Sequence, residues 1–79
     1  MDYSKYIVRD PSICGGEPVI VGTRVTMRTI LASLAEGGRM DEILHDFPAL
    51  TEEQVMAVIA FAAASAEEDL PLASVPKVA

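Results

Sequence analysis

The sequence predicts a mainly α fold: a three-helix bundle that contains a helix-turn-helix pair and follows a short N-terminal β-hairpin or β segments. Apolar residues recur at helical spacing in three successive stretches between residues 27 and 62. The link between the second and third stretches is only Pro48–Leu50, a length typical of a helix-turn-helix. The residues before position 27 instead show β-type runs and glycines, which indicate strands and turns.

Two β-type runs, Tyr6–Arg9 and Pro18–Val21, predict the N-terminal strands. Asp10-Pro11 favours a turn after the first run, because proline fixes its own φ and aspartate bonds the nearby backbone. Gly15-Gly16 then supplies the glycine-rich loop between the two runs. Since Pro18 lacks an N–H group, the second strand should begin there or lie at a sheet edge.

The helical stripes predict helices at about Met27–Glu36, Asp41–Phe47 and Glu52–Glu68. Thr26 is a suitable N-cap for the first helix, and Gly37-Gly38 is a suitable end for it. Residues on the inner faces of these helices are expected to form the core. They are Leu31, Leu34, Ile43, Leu44, Phe47, Val55, Val58 and Ile59.

The third helix has the best-defined start. Thr51 followed by Gln54 is a capping-box pattern, and Leu50 and Val55 flank it as a hydrophobic staple. The start of the second helix is the least well defined, because Arg39-Met40 offers no good cap.

The length of 79 residues allows one domain, which we place at residues 1–69, with residues 70–79 as a flexible, proline-broken tail. Cys14 is the only cysteine, so no internal disulfide can form, which fits a reducing compartment. The N-terminus lacks a signal-peptide pattern, and no apolar run approaches the roughly 20 residues of a membrane span. We therefore expect a cytoplasmic protein that does not enter a membrane.

Charge is unevenly distributed along the chain. Residues 1–39 hold five cations and four acids, whereas residues 40–79 hold one cation and eight acids. Any contact with nucleic acid must therefore come from the N-terminal half. The third helix would be the recognition helix of an ordinary helix-turn-helix, but Glu52-Glu53 at its leading end would repel DNA phosphates.

The residues offer no catalytic or metal-binding pattern. His45 is a lone histidine off the apolar face of the second helix, and Cys14 has no base near it in sequence. Glu52-Glu53 lies in a first helical turn, where acids favour the positive dipole end, and Glu67–Asp69 is typical of a solvated helix end. We expect a protein that is not an enzyme and that uses no metal or cofactor.

Arg24 and Arg28 are the candidate binding residues that the pattern singles out. Arg24 lies between a predicted strand and helix, and Arg28 follows one helical turn later, so both could meet a phosphate or a carboxylate. A structural role for Arg24, in which its side chain ties the glycine-rich loop to the helices, stays equally open. The glycines themselves are expected to supply positive φ at turns.

Several spaced motifs resemble a known prokaryotic family, domain-of-unknown-function family number 433, over about Tyr6 to Ala64. The motifs are Asp10-Pro11, Gly15-Gly16-x-Pro18-x-Ile20-x-Gly22-Thr23-Arg24, Ile30-Leu31-x-x-Leu34 with Gly37, Glu42-Ile43-Leu44, and Phe47-Pro48-x-Leu50-Thr51 with Val55. The glycine-rich motif is the specific part, and its family positions fall on Gly15, Gly16, Pro18, Gly22, Thr23 and Arg24. The chain departs from the family at Arg39-Met40, where a small polar cap is usual.

The resemblance implies a homeodomain-like helix-turn-helix fold and an antitoxin-type role beside a PIN-like nuclease toxin of the same operon. The resulting hypothesis is a regulatory protein that binds this toxin and also its own promoter DNA. The alternative is a dimeric protein-interaction module that does not bind DNA. For the first, we expect DNA contacts from Lys5, Arg9, Arg24 and Arg28, gathered by a homodimer that pairs the N-terminal strands.

Overall fold

The computed structural model describes residues 5–69, and within them the predicted mainly α class with an N-terminal β-hairpin is confirmed. The elements, in chain order, are β1 Ile7–Val8, β2 Val19–Ile20, α1 Met27–Ala35, α2 Met40–Asp46 and α3 Glu52–Asp69. One 3-10 turn, Cys14–Gly16, lies in the loop between the strands. The flexible tail expected at residues 70–79 lies outside the described residues.

The hairpin is antiparallel, with Ile7 opposite Ile20. On its other side β2 meets the approach to α1, where the N–H of Ile20 donates to the carbonyl of Val25 at 3.0 Å. β2 therefore lies between β1 and the residues that lead into α1, which it meets through an isolated bridge between Val19 and Thr26. A tight turn closes this second pairing, and Gly22 occupies it with a φ of 78°, a conformation that side-chain-bearing residues disfavour.

Local side-chain and glycine signals set the ends of the first helix, as predicted. The hydroxyl of Thr26 accepts a hydrogen bond from the N–H of Thr29 at 3.1 Å and so caps α1. At the other end, the N–H of Gly38 donates to the carbonyl of Ser33 at 2.8 Å, and Gly37 has a φ of 92°. This pattern is a Schellman motif, and it stops α1 at Ala35, one residue before the predicted end.

The starts of the other two helices depend on glutamate and glutamine side chains. Thr51 and Gln54 form the predicted capping box, with reciprocal hydrogen bonds of 2.9 and 3.2 Å. At α2 the carboxylate of Glu42 accepts the N–H of Arg39 at 3.0 Å, whereas the Arg39 side chain has no acceptor to return the bond. This half of a capping box lets α2 begin at Met40, one residue earlier than predicted.

The core lies where α3 packs against α1, α2 and the inner face of the hairpin. Its buried members are Ile7, Ile20, Met27, Ile30, Ile43, Leu50, Val55, Ala57 and Val58. The prediction was incomplete: Ile43, Val55 and Val58 are buried, but the remaining predicted residues are only partly buried against this cluster. Those residues are Leu31, Leu34, Leu44, Phe47 and Ile59. No helix within residues 5–69 has the length and apolarity needed to cross a lipid bilayer.

Candidate interaction surfaces

The outer face of the hairpin carries a second, smaller apolar cluster. Val19 is completely buried, yet it does not belong to the main core, because it faces the loop that connects the strands. Its cross-strand neighbour Val8 is 40% exposed. A groove opens on this face, which we call the outer groove; its lining residues are Val8, Ile13, Val19, Gly22, Thr23 and Arg24.

Three hydrogen bonds shape the loop beside the outer groove. The carboxylate of Asp10 accepts the hydroxyl of Ser12 at 2.7 Å and its N–H at 2.9 Å, which forms the turn predicted at Asp10-Pro11. Both hydrogen bonds lower the pKa of Asp10 from its ordinary value, and the bond from the Ser12 hydroxyl contributes more than the bond from the N–H. The thiol of Cys14 donates to the main-chain carbonyl of Arg24 at 3.4 Å, and so connects the loop to the turn before α1.

The guanidinium of Arg24 is free at the rim of the outer groove. Arg24 is exposed, and no residue within 5–69 forms a hydrogen bond or an ion pair with its side chain. The contact that joins Arg24 to the glycine-rich loop is made by its main chain, through Cys14. The interpretation in which the Arg24 side chain ties the loop to the helices therefore has no supporting contact within residues 5–69.

Arg28 is exposed, as predicted, but it has a partner. Its Nη2 lies 2.8 Å from Oε1 of Glu17, with the two side chains 79% and 39% exposed. The ion pair connects the first turn of α1 to the end of the glycine-rich loop. Sequence reasoning had not linked Glu17 to Arg28, since the pair depends on how the loop folds back.

Lys5 and Arg9 flank β1 and are both exposed. Arg9 directly follows β1, whereas Lys5 lies in a 3-10 turn two residues before it. A single chain thus spreads its predicted DNA-binding residues around the hairpin instead of aligning them in one row.

The exposed side of α3 is acidic and apolar. Glu52 and Glu53 are exposed in its first turn, where the Glu53 carboxylate accepts the Tyr6 hydroxyl at 3.2 Å. Met56, one turn later, is 44% exposed. The fully buried residues of α3 all lie before position 59, whereas its second half is rich in alanine and ends in acids. α3 contains no lysine, arginine or histidine.

The candidate catalytic groups of the sequence lie apart from one another. His45 is exposed on α2 among Asp41, Glu42 and Asp46, and Cys14 is half-buried in the hairpin loop. Among residues 5–69 there is no group of three or more His, Cys, Asp or Glu side chains that could hold a metal ion.

The N-terminal hairpin, the three-helix bundle and the surfaces described above together define a small helix-turn-helix-type domain. The chain belongs to the protein family of unknown function DUF433, whose family model matches residues 7–62. It is also 34% identical over 59 residues to the uncharacterized protein y4eO of Sinorhizobium fredii (strain NBRC 101917 / NGR234). The match covers 75% of this chain but only 27% of that relative, so the chain spans about a quarter of it. No solved structure matches the chain.

Proposed function

We propose that this chain is an antitoxin-like regulatory protein of the cytoplasm that acts by binding a partner protein, a PIN-like nuclease toxin of the same operon. The observation that carries the proposal is the exposed side of α3, which presents acids at both ends, apolar residues between them and no cation. Such a helix is unsuited to DNA phosphates and suited to a basic protein surface.

Charge complementarity connects this helix to a nuclease. A nuclease must hold a polyanion, so cations surround its active site. An acidic helix is attracted to that surface and competes there with nucleic acid. The alanines in the second half of α3 have short side chains, which allow a partner helix or sheet to approach closely.

Binding of promoter DNA is a second candidate function, favoured by one observation: Lys5, Arg9 and Arg24 are exposed and make no ion pair within residues 5–69. Cations of this kind contact phosphates without reading sequence. Because they lie around the hairpin, DNA binding would need a homodimer to combine two sets of them, and that homodimer stays a prediction.

Co-purification with the product of the neighbouring gene tests the protein-binding function. We expect a stable complex with the unaltered chain, and we expect Ala63→Arg on the exposed side of α3 to prevent it. The matched control is Ala32→Arg on the exposed side of α1, which adds the same charge and bulk elsewhere. Arginine is well tolerated in helices, so both variants should fold. Equal loss in both variants, or no complex with the unaltered chain, contradicts the proposal.

A further inference from the structure

One ion pair interrupts the exposed positive charge of the hairpin and α1. Lys5, Arg9 and Arg24 are exposed and form no ion pair within residues 5–69. The side chain of Arg28 is 79% exposed, yet its Nη2 lies 2.8 Å from the carboxylate of Glu17. Arg28 is therefore the one of these four cations whose charge is already met within the described part of the chain.

The main chain holds Glu17 where its carboxylate reaches the first turn of α1. The N–H of Glu17 donates to the carbonyl of Cys14 at 3.3 Å, and the carbonyl of Pro18 accepts the N–H of Met27 at 2.9 Å. Because Pro18 and Met27 are the sequence neighbours of Glu17 and Arg28, this second bond brings the two side chains together. A carboxylate positioned in this way loses less conformational entropy on pairing than one on a mobile segment.

The ion pairs of Arg39 have a local explanation that the Glu17 pair lacks. They join Arg39 to Asp41 and Glu42 in the first turn of α2, and Glu42 also accepts the Arg39 N–H at the helix start. Glu17 caps no helix, and within residues 5–69 its carboxylate contacts Arg28 alone. The pair therefore acts chiefly on the charge of Arg28.

We propose that Glu17 is an internal competitor for phosphate, which occupies the guanidinium of Arg28 and so weakens the binding of nucleic acid to the hairpin and α1. A phosphate at Arg28 must displace the carboxylate or share the guanidinium with it, and the two anions repel each other. Each cation that meets a phosphate adds to affinity on any sequence, so withholding one lowers it on any sequence. The inference goes beyond the proposed protein-binding function and does not rest on it, since α3 contributes nothing to the pair.

Binding of a labelled, non-specific double-stranded DNA to the full chain, followed by fluorescence anisotropy across a salt series, tests this inference. Glu17→Gln keeps the shape of the side chain and removes its charge. We expect this variant to bind about three- to tenfold more tightly at low salt, with a logarithmic salt dependence steeper by about one unit, the effect of one added phosphate contact. Arg28→Ala alone should change little, because Glu17 already holds Arg28.

The double variant Glu17→Gln/Arg28→Ala separates this contact from a general effect of charge. If Glu17 acts through Arg28, the double variant should return to the affinity and salt slope of Arg28→Ala. Glu36→Gln is the matched control, because it removes an exposed acid without a cationic partner in residues 5–69 at the other end of α1. This control should leave DNA binding unchanged. Circular dichroism verifies that each variant is folded.

Unchanged DNA binding in Glu17→Gln, or no DNA binding by any variant, overturns the inference. A gain that persists in the double variant, or that appears equally in Glu36→Gln, also overturns it, because net charge alone then explains the gain. Co-purification of the neighbouring gene product is measured separately. If the gene product co-purifies but Glu17→Gln brings no gain in DNA binding, this inference fails alone. If the gain is seen but the gene product never co-purifies, the proposed function fails alone.

Discussion

Arg28 and Glu17 form an ion pair of 2.8 Å that joins the first turn of α1 to the glycine-rich loop of the hairpin. The pair changes how Arg28 should behave. A guanidinium that already holds a carboxylate must give up that contact, or share it, before it meets a phosphate. Arg24, by contrast, is exposed and has no partner among residues 5–69, so it is the more available of the two arginines.

Glu17→Gln removes this ion pair, and we expect only a small loss of stability, at most about 1 kcal/mol, because both side chains are partly exposed and the pair is screened by water. Urea unfolding followed by circular dichroism measures the change. Arg39→Ala, which breaks another exposed ion pair, is the matched comparison. A loss of several kcal/mol in Glu17→Gln would mean that the pair holds the loop on α1 far more firmly than an exposed pair can.

Thr51→Ala should lower the free energy of unfolding by about 1 kcal/mol, since it leaves the N–H of Gln54 without its capping partner. Gln54→Ala removes the reciprocal bond to the Thr51 N–H. Because the two bonds form one motif, the double variant should lose less than the sum of the single losses. Urea unfolding of all three variants measures the coupling, and strict additivity would show that the two bonds act independently.

The helix ends could be predicted from the sequence because the residues that form each cap lie close together along the chain. Thr26 and Thr51 cap helices through residues three positions away, so the signal and its partner lie in one short stretch of sequence. The loop turn at Asp10 is equally local, because its carboxylate bonds Ser12. Capping and turn signals of this kind do not depend on contacts with distant parts of the chain.

The residues that the sequence did not place correctly depend on contacts between distant segments. Ile20 and Ile30 are completely buried because the hairpin packs on the helices. Ile30 belongs to the apolar stripe of α1, but the stripe alone does not show that Ile30 is more deeply buried than Leu31 or Leu34. The outer groove arises from the strand register and the fold of the loop, which bring Val8 and Ile13 together. The pairing of Arg28 with Glu17 arises in the same way.

Ile30→Ala should destabilise the domain by about 2–5 kcal/mol, the range for emptying a fully buried aliphatic site. Leu44→Ala should cost less, because Leu44 is only partly buried against the core and the space it leaves stays open to water. Thermal unfolding of the two variants ranks them. A greater loss for Leu44→Ala would show that α2 contributes more to the core than its burial indicates.

Ser12→Ala should raise the pKa of Asp10 toward the usual value of about 3.9, since it removes the hydroxyl bond that contributes most to the lowered pKa. A lowered folded-state pKa contributes stability above the unfolded-state pKa, and that contribution is lost as pH falls through the folded-state value. The Asp10 contribution should therefore disappear only at acid pH, below about 4. An NMR titration of the Asp10 carboxyl carbon checks this, and an unchanged pKa in Ser12→Ala contradicts it.

Arg24→Ala tests whether this side chain contacts phosphate or ties the glycine-rich loop to the helices. Since its guanidinium is exposed and has no partner within residues 5–69, the change should leave stability within about 0.5 kcal/mol of the unaltered chain. If the chain binds its promoter, Arg24→Ala should weaken binding on any sequence and flatten the logarithmic salt dependence by about one unit, the effect of one lost phosphate contact.

Arg28→Ala is the comparison within the same measurement. Because Glu17 already holds its guanidinium, Arg28→Ala should change the salt slope less than Arg24→Ala does. Gel shifts across a salt series, run beside urea unfolding, assign the role of Arg24. A flattened slope with normal stability indicates a phosphate contact, whereas unfolding of the Arg24→Ala domain would show a structural tie after all. If the unaltered chain shows no salt-dependent DNA binding, Arg24 does not serve as a phosphate contact.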